Sequence, residues 1–481
     1  MLKIKQSDRL ILLQVFNFSR TKKVQLFVVG GFLRDLFLKR EKENPDIDFC
    51  IRKNAIGFGR ALARELKAGF VVLDKVHGSC RVVKKSQNKV YTLDFTDFRG
   101  KGLDDDLLHR DFTINTLALG LSEAVKPVVD EDSLIDLYGA RKDIKSKCIR
   151  LVNDGAFDED PLRILRAFSL SAIFGFRIDK DTLKSIKTKK EKLPQASGER
   201  IRDELFKILG QANAYKSLIM MDKLRVLKQF LPEIEVMRGV NQGPYHHLNV
   251  LNHSFESVKQ LEEAVGKLRA DKELQNYLKE IISADRSRLA LVKLATLLHD
   301  IGKPRAKRRR KGRTLFHGHE GIGAYITVGI ARRLMLSNDE VSALKKMVFW
   351  HLRPGYLADN LDVTPRAIFR YFRDTAKEGV STLLLAIADQ RATKGRLTSE
   401  ESRMQHEKVV FGLMKRYFKK LKEKELPRLV NGNDVIRNFK LNPSPLVGEI
   451  LRHIEEMQAI GEIKNKQEAL LEIKKWLKSR K

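Results

Sequence analysis

A chain of 481 residues has room for about three domains and a sizeable core, and 42% apolar residues exclude a disordered polyelectrolyte. With 93 Lys and Arg against 61 Asp and Glu, the net charge is +32, which points to a polyanionic partner and first of all to nucleic acid. Cys50, Cys80 and Cys148 lie far apart without a CxxC or Cys/His ladder, so neither a disulfide framework nor a thiolate zinc site is expected, and the cytoplasm fits best.

Near the start, the longest apolar run is Leu10 to Phe16, far short of the roughly 20 residues a membrane span needs, so no membrane partner is expected. Residues 24–31 (VQLFVVGG) read as a buried strand ending in a glycine turn, and FLRDLFLKR after them has helical spacing. Strands are predicted again at 47–51, 70–74, 81–83 and 90–95, which makes roughly the first 120 residues α/β. After Pro161 the 3.6-residue apolar period dominates and the remainder reads as mostly helical, with breaks near 210–214, 239–244 and 425–433. A short basic run, RAKRRRKGR (305–313), can touch phosphates or simply be a solvated loop.

Asp46 and Asp48 stand two apart on a predicted strand, so their side chains share a face and can share a divalent cation; paired hard oxygens select Mg²⁺. Upstream, Gly30 and Gly31 open a helix whose N-terminal amides suit a phosphate. Metal and phosphate cradle together suggest phosphoryl transfer.

Four motifs in order, GGFLRD (30–35), PDIDF (45–49), RDFTINTLA (110–118) and EDPLRILRA (159–167), resemble the class II tRNA nucleotidyltransferase and bacterial poly(A) polymerase family. The resemblance implies a DNA polymerase beta-like nucleotidyltransferase head (1–150), a helical neck that selects the base (151–235), an HD-type helical body (236–400) and a helical RNA-binding tail (401–481). It implies ATP and CTP as substrates and tRNA as partner. Asp46 and Asp48 then match the catalytic carboxylates that hold Mg²⁺, and Gly30, Gly31, Arg34 and Asp35 match the phosphate-side motif. Arg110, Asp111 and Asn115 match the ribose motif. Glu159, Asp160 and Arg163 match the base-selecting motif, in which Asp160 and Arg163 share a helix face and Glu159 holds Arg163; Arg166 is expected to reach the triphosphate. Asp94 is a candidate third metal carboxylate, and Arg200 and Glu204 are expected i,i+4 partners bracing the neck. Lys39 and Ser169 depart from the family's usual glycine and arginine. Residues 99–109 occupy the place of the mobile loop associated with switching from C to A addition, their DDD being equally readable as a helix N-cap.

Seven of the eleven histidines fall between 246 and 351, where even spreading would place two or three. LLHDIGKP (297–304) looks like the signature of HD-type metal-dependent phosphohydrolases. With it, His253, His299, Asp300 and Asp389 match that family's ligand order, and His319 and His351 match the extra ligands of its two-metal versions. Mixed imidazole and carboxylate ligands suit Mn, Ni or Co. The alternative is an HD fold kept as an RNA-holding body without activity.

The expected function is addition of CCA, or only its terminal A or CC, to the 3′ end of tRNA. A bacterial poly(A) polymerase shares the head motifs, but members of that type generally carry an Arg-rich extension and no HD signature. An RNA phosphohydrolase or RNA-binding protein with an inactive head is a further alternative, disfavoured by the intact Asp46/Asp48 pair.

Overall fold

The computed structural model describes residues 2–86, 89–311, 313–360, 363–423 and 427–480. The chain divides into two compact units: the residues through Ile208 with Met220–Phe230, and Leu209–Ile219 with Leu231 onward.

In the first unit, helix α1 (Gln6–Thr21) precedes strand β1 (Leu26–Val29), helix α2 (Gly31–Phe37), strand β2 (Asp46–Ile51) and helix α3 (Ala55–Glu65). Strands β3 (Gly69–Asp74), β4 (Ser79–Ser86) and β5 (Lys89–Asp97), helix α4 (Leu103–Leu108) and strand β6 (Ala118–Gly120) follow. The six strands form one sheet in the order β3-β4-β5-β2-β1-β6, parallel only between β2 and β5. Strand alternation decides what each face carries. Phe49 of β2 stacks on Phe95 of β5 at 4.8 Å, and Phe58 of α3 packs on Phe95 while Phe18 of α1 packs on Phe58, so this face is the core. Asp48 of β2 lies in register with Asp94 of β5, on the opposite face. Every strand expected from the sequence is present within a few residues of its predicted place.

Helices α5 (Arg163–Phe174) and α6 (Gly198–Leu209) follow the head sheet. The second unit is helical, built around α7 (Val250–Lys267), α8 (Arg288–Leu298), α9 (Lys303–Ala306), α10 (His319–Arg333), α11 (Asn338–Trp350) and α12 (Gly379–Ala392). A hairpin of β7 (Arg308–Arg310) and β8 (Arg313–Leu315) sits between α9 and α10. Helix starts are marked in the sequence: Ser287 caps α8, and Ser337 with Glu340 makes a reciprocal capping box on α11. Buried Glu340 also accepts two hydrogen bonds from Arg286, which satisfies its charge.

The C-terminal segment has its own apolar cluster, which includes Val435, Ile450, Ile454 and Ile473. The helix over Gly432–Phe439 ends in a left-handed turn. The left-handed residue is Lys440, at φ 49°, whereas Asn438 is helical and bonds back to the Asp434 carbonyl. No helix among the described residues is long and apolar enough to cross a membrane.

Candidate functional site

A cleft of about 730 Å³ in the first unit is lined by Gly30, Gly31, Arg34, Asp35, Asp46, Asp48, Arg110, Asp111, Asn115, Asp160, Arg163 and Arg166. Of the residues expected at the nucleotide, only Glu159 lies behind the wall, where it accepts from Arg163 at 3.2 Å and contacts His109 Nδ1 at 2.9 Å. Gly30 ends β1 at φ 76°, and a Cβ there would stand 2.8 Å from Arg110 Nη1 and 3.3 Å from Asp48 Oδ2. Glycine is therefore required twice, for conformation and for space.

Asp46 is exposed at the mouth, with Lys42 Nζ 3.5 Å away, and Asp48 is partly buried beside it. Withdrawal from water, with Asp94 and Asp46 as like-charged neighbours, raises the Asp48 carboxyl above its ordinary value despite Arg110. Crowded carboxylates with open oxygens suit a divalent cation, which relieves that repulsion; Asp46 and Asp48 are the residues fitted to hold it. Asp94 differs. Both its oxygens accept from Arg81, at 2.8 Å each, a clamp that the sequence reading missed because the partner lies on the neighbouring strand β4.

Away from the carboxylates the wall is one hydrogen-bond chain. Arg34 donates to Asp35 through Nε and Nη2 and to Asn115 Oδ1 through Nη1; Asn115 Nδ2 donates to Asp111, which also accepts from Arg166 Nε at 2.8 Å. Burial opposes ionisation of Asp111, yet Arg166, Asn115 and the Phe112 amide together hold its carboxyl below the usual range. Arg110 Nη2 reaches Asp106, while its Nε is buried without a partner.

The base-selecting residues are arranged differently from the expected shared face. Helix α5 begins at Arg163 itself, and Asp160 is extended, outside the helix. Arg163 is fastened by the carbonyls of His109 (2.7 Å) and Ala156 (3.2 Å) and by Glu159. Asp160 accepts two hydrogen bonds from Arg200, at 3.2 and 2.7 Å. Arg200 is thus not the partner of Glu204, which instead bonds Ser169 and Lys207. The extended conformation of Asp160 turns its side chain to a helix 40 residues on, a pairing no local spacing reveals.

The second unit gathers another centre from five helices. His253 comes from α7, His299 caps the end of α8, His319 opens α10, His351 caps the end of α11, and Asp389 comes from α12. His253, His299 and Asp389 form one group and Asp300, His319 and His351 another. Asp300 joins them: Oδ2 lies 3.2 Å from His299 Nε2 and Oδ1 lies 3.4 Å from His319 Nε2. His299, His319 and His351 each point Nδ1 at the carbonyl three residues earlier, at 2.8, 2.8 and 2.7 Å. A carbonyl only accepts, so Nδ1 carries a proton and each ring turns its Nε2 toward the centre. His319 and His351 Nε2 stand 3.3 Å apart, and His299 Nε2 and Asp300 Oδ1 are buried without a hydrogen-bond partner. Burial pushes His351 down to about 3, which keeps it neutral. Inward Nε2 atoms around a buried carboxylate fit resident transition metal ions. Lys303, not singled out from the sequence, lies 2.7 Å from Asp300 Oδ2; its i+3 spacing from Asp300 was the available signal. Gly302 beside it is irreplaceable, since a Cβ would fall 2.1 Å from the His319 carbonyl. His246 packs edge-on against His253, 4.8 Å between ring centres.

Comparison with known proteins finds a family model over each unit. Residues 26–150 match the family model of the poly A polymerase head domain, residues 250–394 the HD domain, and residues 383–473 tRNA nucleotidyltransferase domain 2. An A-adding tRNA nucleotidyltransferase of Deinococcus radiodurans is 31% identical over 93% of this chain and 95% of that protein. A CC-adding tRNA nucleotidyltransferase of Thermus thermophilus is 28% identical over 92% of each. The fold is shared with the Thermotoga maritima CCA-adding enzyme solved with tRNA, at a TM-score of 0.62 and 22% identity over 99% of this chain and 97% of that one. A CCA-adding enzyme solved with ATP gives 0.64 and 22% over 98% and 96%. With 31% identity to the Deinococcus protein along nearly the whole length of both and a match to the poly A polymerase head domain, the chain belongs to the tRNA nucleotidyltransferase family.

Proposed function

We propose that the protein adds the terminal A to the 3′ end of tRNA from ATP, without a template. The observation that carries nucleotidyl transfer is the Asp46/Asp48 pair at the mouth of a cleft walled by seven arginines. A divalent cation held there would activate the primer hydroxyl and neutralise triphosphate charge. The arginine-rich wall orients the triphosphate. Arg163 and Asp160, held from behind by Glu159 and Arg200, present fixed donors and acceptors to the base edge, so protein takes the place of a template strand.

The choice of A rests on two supports. The 31% identical relative is named A-adding. In addition, the stretch expected as a mobile C-to-A switch is helix α4, started at Gly102 with the three aspartates in its favourable first turn. Its Leu107 is packed with Val29, Cys50 and Ala118, and its buried Asp106 bonds the Arg99 amide and Arg110. A pinned segment favours one fixed nucleotide. The test is incubation with Mg²⁺, each NTP alone, and tRNA transcripts ending at the discriminator base, at CC and at CCA. Incorporation of ATP into the CC transcript alone is expected. C addition to the discriminator transcript would make it a CC- or CCA-adding enzyme, and long A tails on unrelated RNA a poly(A) polymerase.

A second activity is favoured by the grouped ligand atoms of the histidine centre: metal-dependent phosphohydrolysis, with Mn, Ni or Co held by His253, His299, Asp300, His319, His351 and Asp389. Hydrolysis of a phosphomonoester by metal-loaded protein, lost in His299→Ala with Asp300→Ala, is the expected result. We assign head, neck, body and tail to 1–150, 151–235, 236–400 and 401–481.

A further inference from the structure

Beside the nucleotide cleft lies a second cavity of about 470 Å³, within the roughly 300–1,000 Å³ of small-ligand sites. Lys42 and Asp46 line both, so the second cavity opens on the catalytic carboxylates. None of the cleft arginines Arg34, Arg110, Arg163 and Arg166 reaches it, and its apolar lining is Leu2, Phe32, Leu36 and Pro45. A transfer reaction brings two reactants together at one place. The arginine cleft accounts for the triphosphate and leaves the other reactant without a seat.

Most charges of this cavity are matched. Lys5 pairs with Glu41, Lys42 lies between Asp35 and Asp46, and Arg40 donates to the Ile173 carbonyl with its guanidinium over the Phe174 ring. Lys3 and Lys39 are left: both are exposed, and neither has a carboxylate partner among the described residues. The backbone fixes both at the cavity. Strand pairing sets Leu2 against Val129 and Lys3 against Val128, and Lys39 follows α2 at φ 52°, its amide donating to the Leu36 carbonyl at 3.0 Å. Single ammonium groups beside an apolar lining suit a base with singly charged phosphodiesters, whereas the guanidinium forks of the cleft suit the crowded oxygens of a triphosphate.

We propose that this second cavity seats the 3′-terminal nucleotide of the RNA being extended, with Lys3 and Lys39 on its phosphodiesters and the apolar lining against its base. Its 3′ hydroxyl then meets the Asp46/Asp48 pair from the side of Asp46 that lacks the triphosphate arginines. Because Lys42 and Asp46 belong to both cavities, RNA and triphosphate are held apart by one side-chain pair and meet only at the carboxylates. The proposal rests on the nucleotidyl-transfer reading above but not on which nucleotide is added.

The test uses full-length protein, Mg²⁺, ATP and a tRNA transcript ending in CC. Lys3→Gln combined with Lys39→Gly should raise KM for the transcript at least tenfold while KM for ATP stays within about twofold. Glycine takes up the left-handed backbone at 39 without strain, so the variant tests the ammonium group and not the fold. The slope of log affinity for RNA against log salt should become shallower by about 1.4, at about 0.7 for each of two single-strand phosphate contacts. Lys3→Arg with Lys39→Arg should keep the wild-type KM. With 4-thiouridine as the last nucleotide and no ATP present, irradiation should label residues 2–5 and 32–45, and 8-azido-ATP should label outside them. An unchanged KM for RNA, an equal rise for RNA and ATP, or a thiouridine label elsewhere overturns the seat. Labelling of 2–5 and 32–45 by 8-azido-ATP instead would make the cavity a second nucleotide site and overturn it too. Labelling needs no incoming nucleotide, so the seat can fail while A addition stands. Incorporation of C in place of A, with the thiouridine label in the cavity, upholds the seat and refutes A addition alone.

Discussion

The two centres of this chain bring carboxylates together in opposite surroundings. In the head, Asp46 is exposed and Asp48 faces a cleft open to solvent, with oxygen the only donor offered. In the second unit Asp300 is 1% exposed, and the side chains of His253, His299 and His351 are fully buried. An open oxygen site suits a hard cation that comes and goes with its triphosphate, whereas a buried imidazole site suits ions that stay. The contrast predicts two kinds of metal dependence in one protein.

The largest expected effect is on the open site. Asp48→Asn should slow addition to tRNA by 10³-fold or more, the several kcal/mol that metal-held charge stabilisation contributes. Affinity for tRNA should stay within about twofold, because the net charge of +32 that attracts RNA is scarcely altered. Single-turnover incorporation and filter binding measure the two. An equal fall in both would dissolve the separation between chemistry and RNA attraction.

Next comes the buried site. His299→Ala with Asp300→Ala should strip transition metal from the protein, read by elemental analysis, while nucleotide addition remains within about threefold. Brief chelation followed by Mg²⁺ should restore addition at once and leave the buried metal in place. Loss of addition together with the buried metal would mean that the two centres are not independent.

Smaller again is the effect on base choice. Arg163→Ala removes a guanidinium that the His109 and Ala156 carbonyls hold in position. Discrimination of ATP against UTP and GTP should fall about 10- to 100-fold, the 1–3 kcal/mol of one good base contact. Unchanged preference across the four nucleotides would place base reading elsewhere in the cleft.

How much of this was legible depends on the range of each interaction. The strand, glycine turn and helix at 24–37, the same-face pair Asp46/Asp48 and the HD ligand set are written in local spacing or in ordered motifs, and the structure brings each set together. The Asp160–Arg200 and Asp94–Arg81 pairs depend on where distant or neighbouring elements are laid, which spacing does not encode. Lys440 shows a different limit. A positive φ is set by how the helix ends, and six lysines among the described residues adopt one, so residue type alone does not mark it.

The smallest effect separates a carboxylate that is free to bind metal from one that is already engaged. Asp94 sits in register with Asp48 on the same face, and its place alone would make it a third ligand. Both its oxygens are taken by Arg81, however, and drawing either toward a cation would break a bidentate pair and bring the guanidinium against the metal. Asp94→Asn should therefore cost about tenfold in addition, through a loosened Arg81, against 10³-fold or more for Asp48→Asn. The Mg²⁺ concentration for half-maximal activity separates the roles: it should rise steeply in Asp48→Asn and stay within about twofold in Asp94→Asn. Arg81→Ala supplies the converse arm, since it frees Asp94 to face Asp48 and adds uncompensated negative charge beside the pair. That variant should need less Mg²⁺ for half-maximal activity. Equal losses of activity and metal affinity in Asp48→Asn and Asp94→Asn would instead make Asp94 a full ligand and Arg81 a group that steps aside when metal arrives.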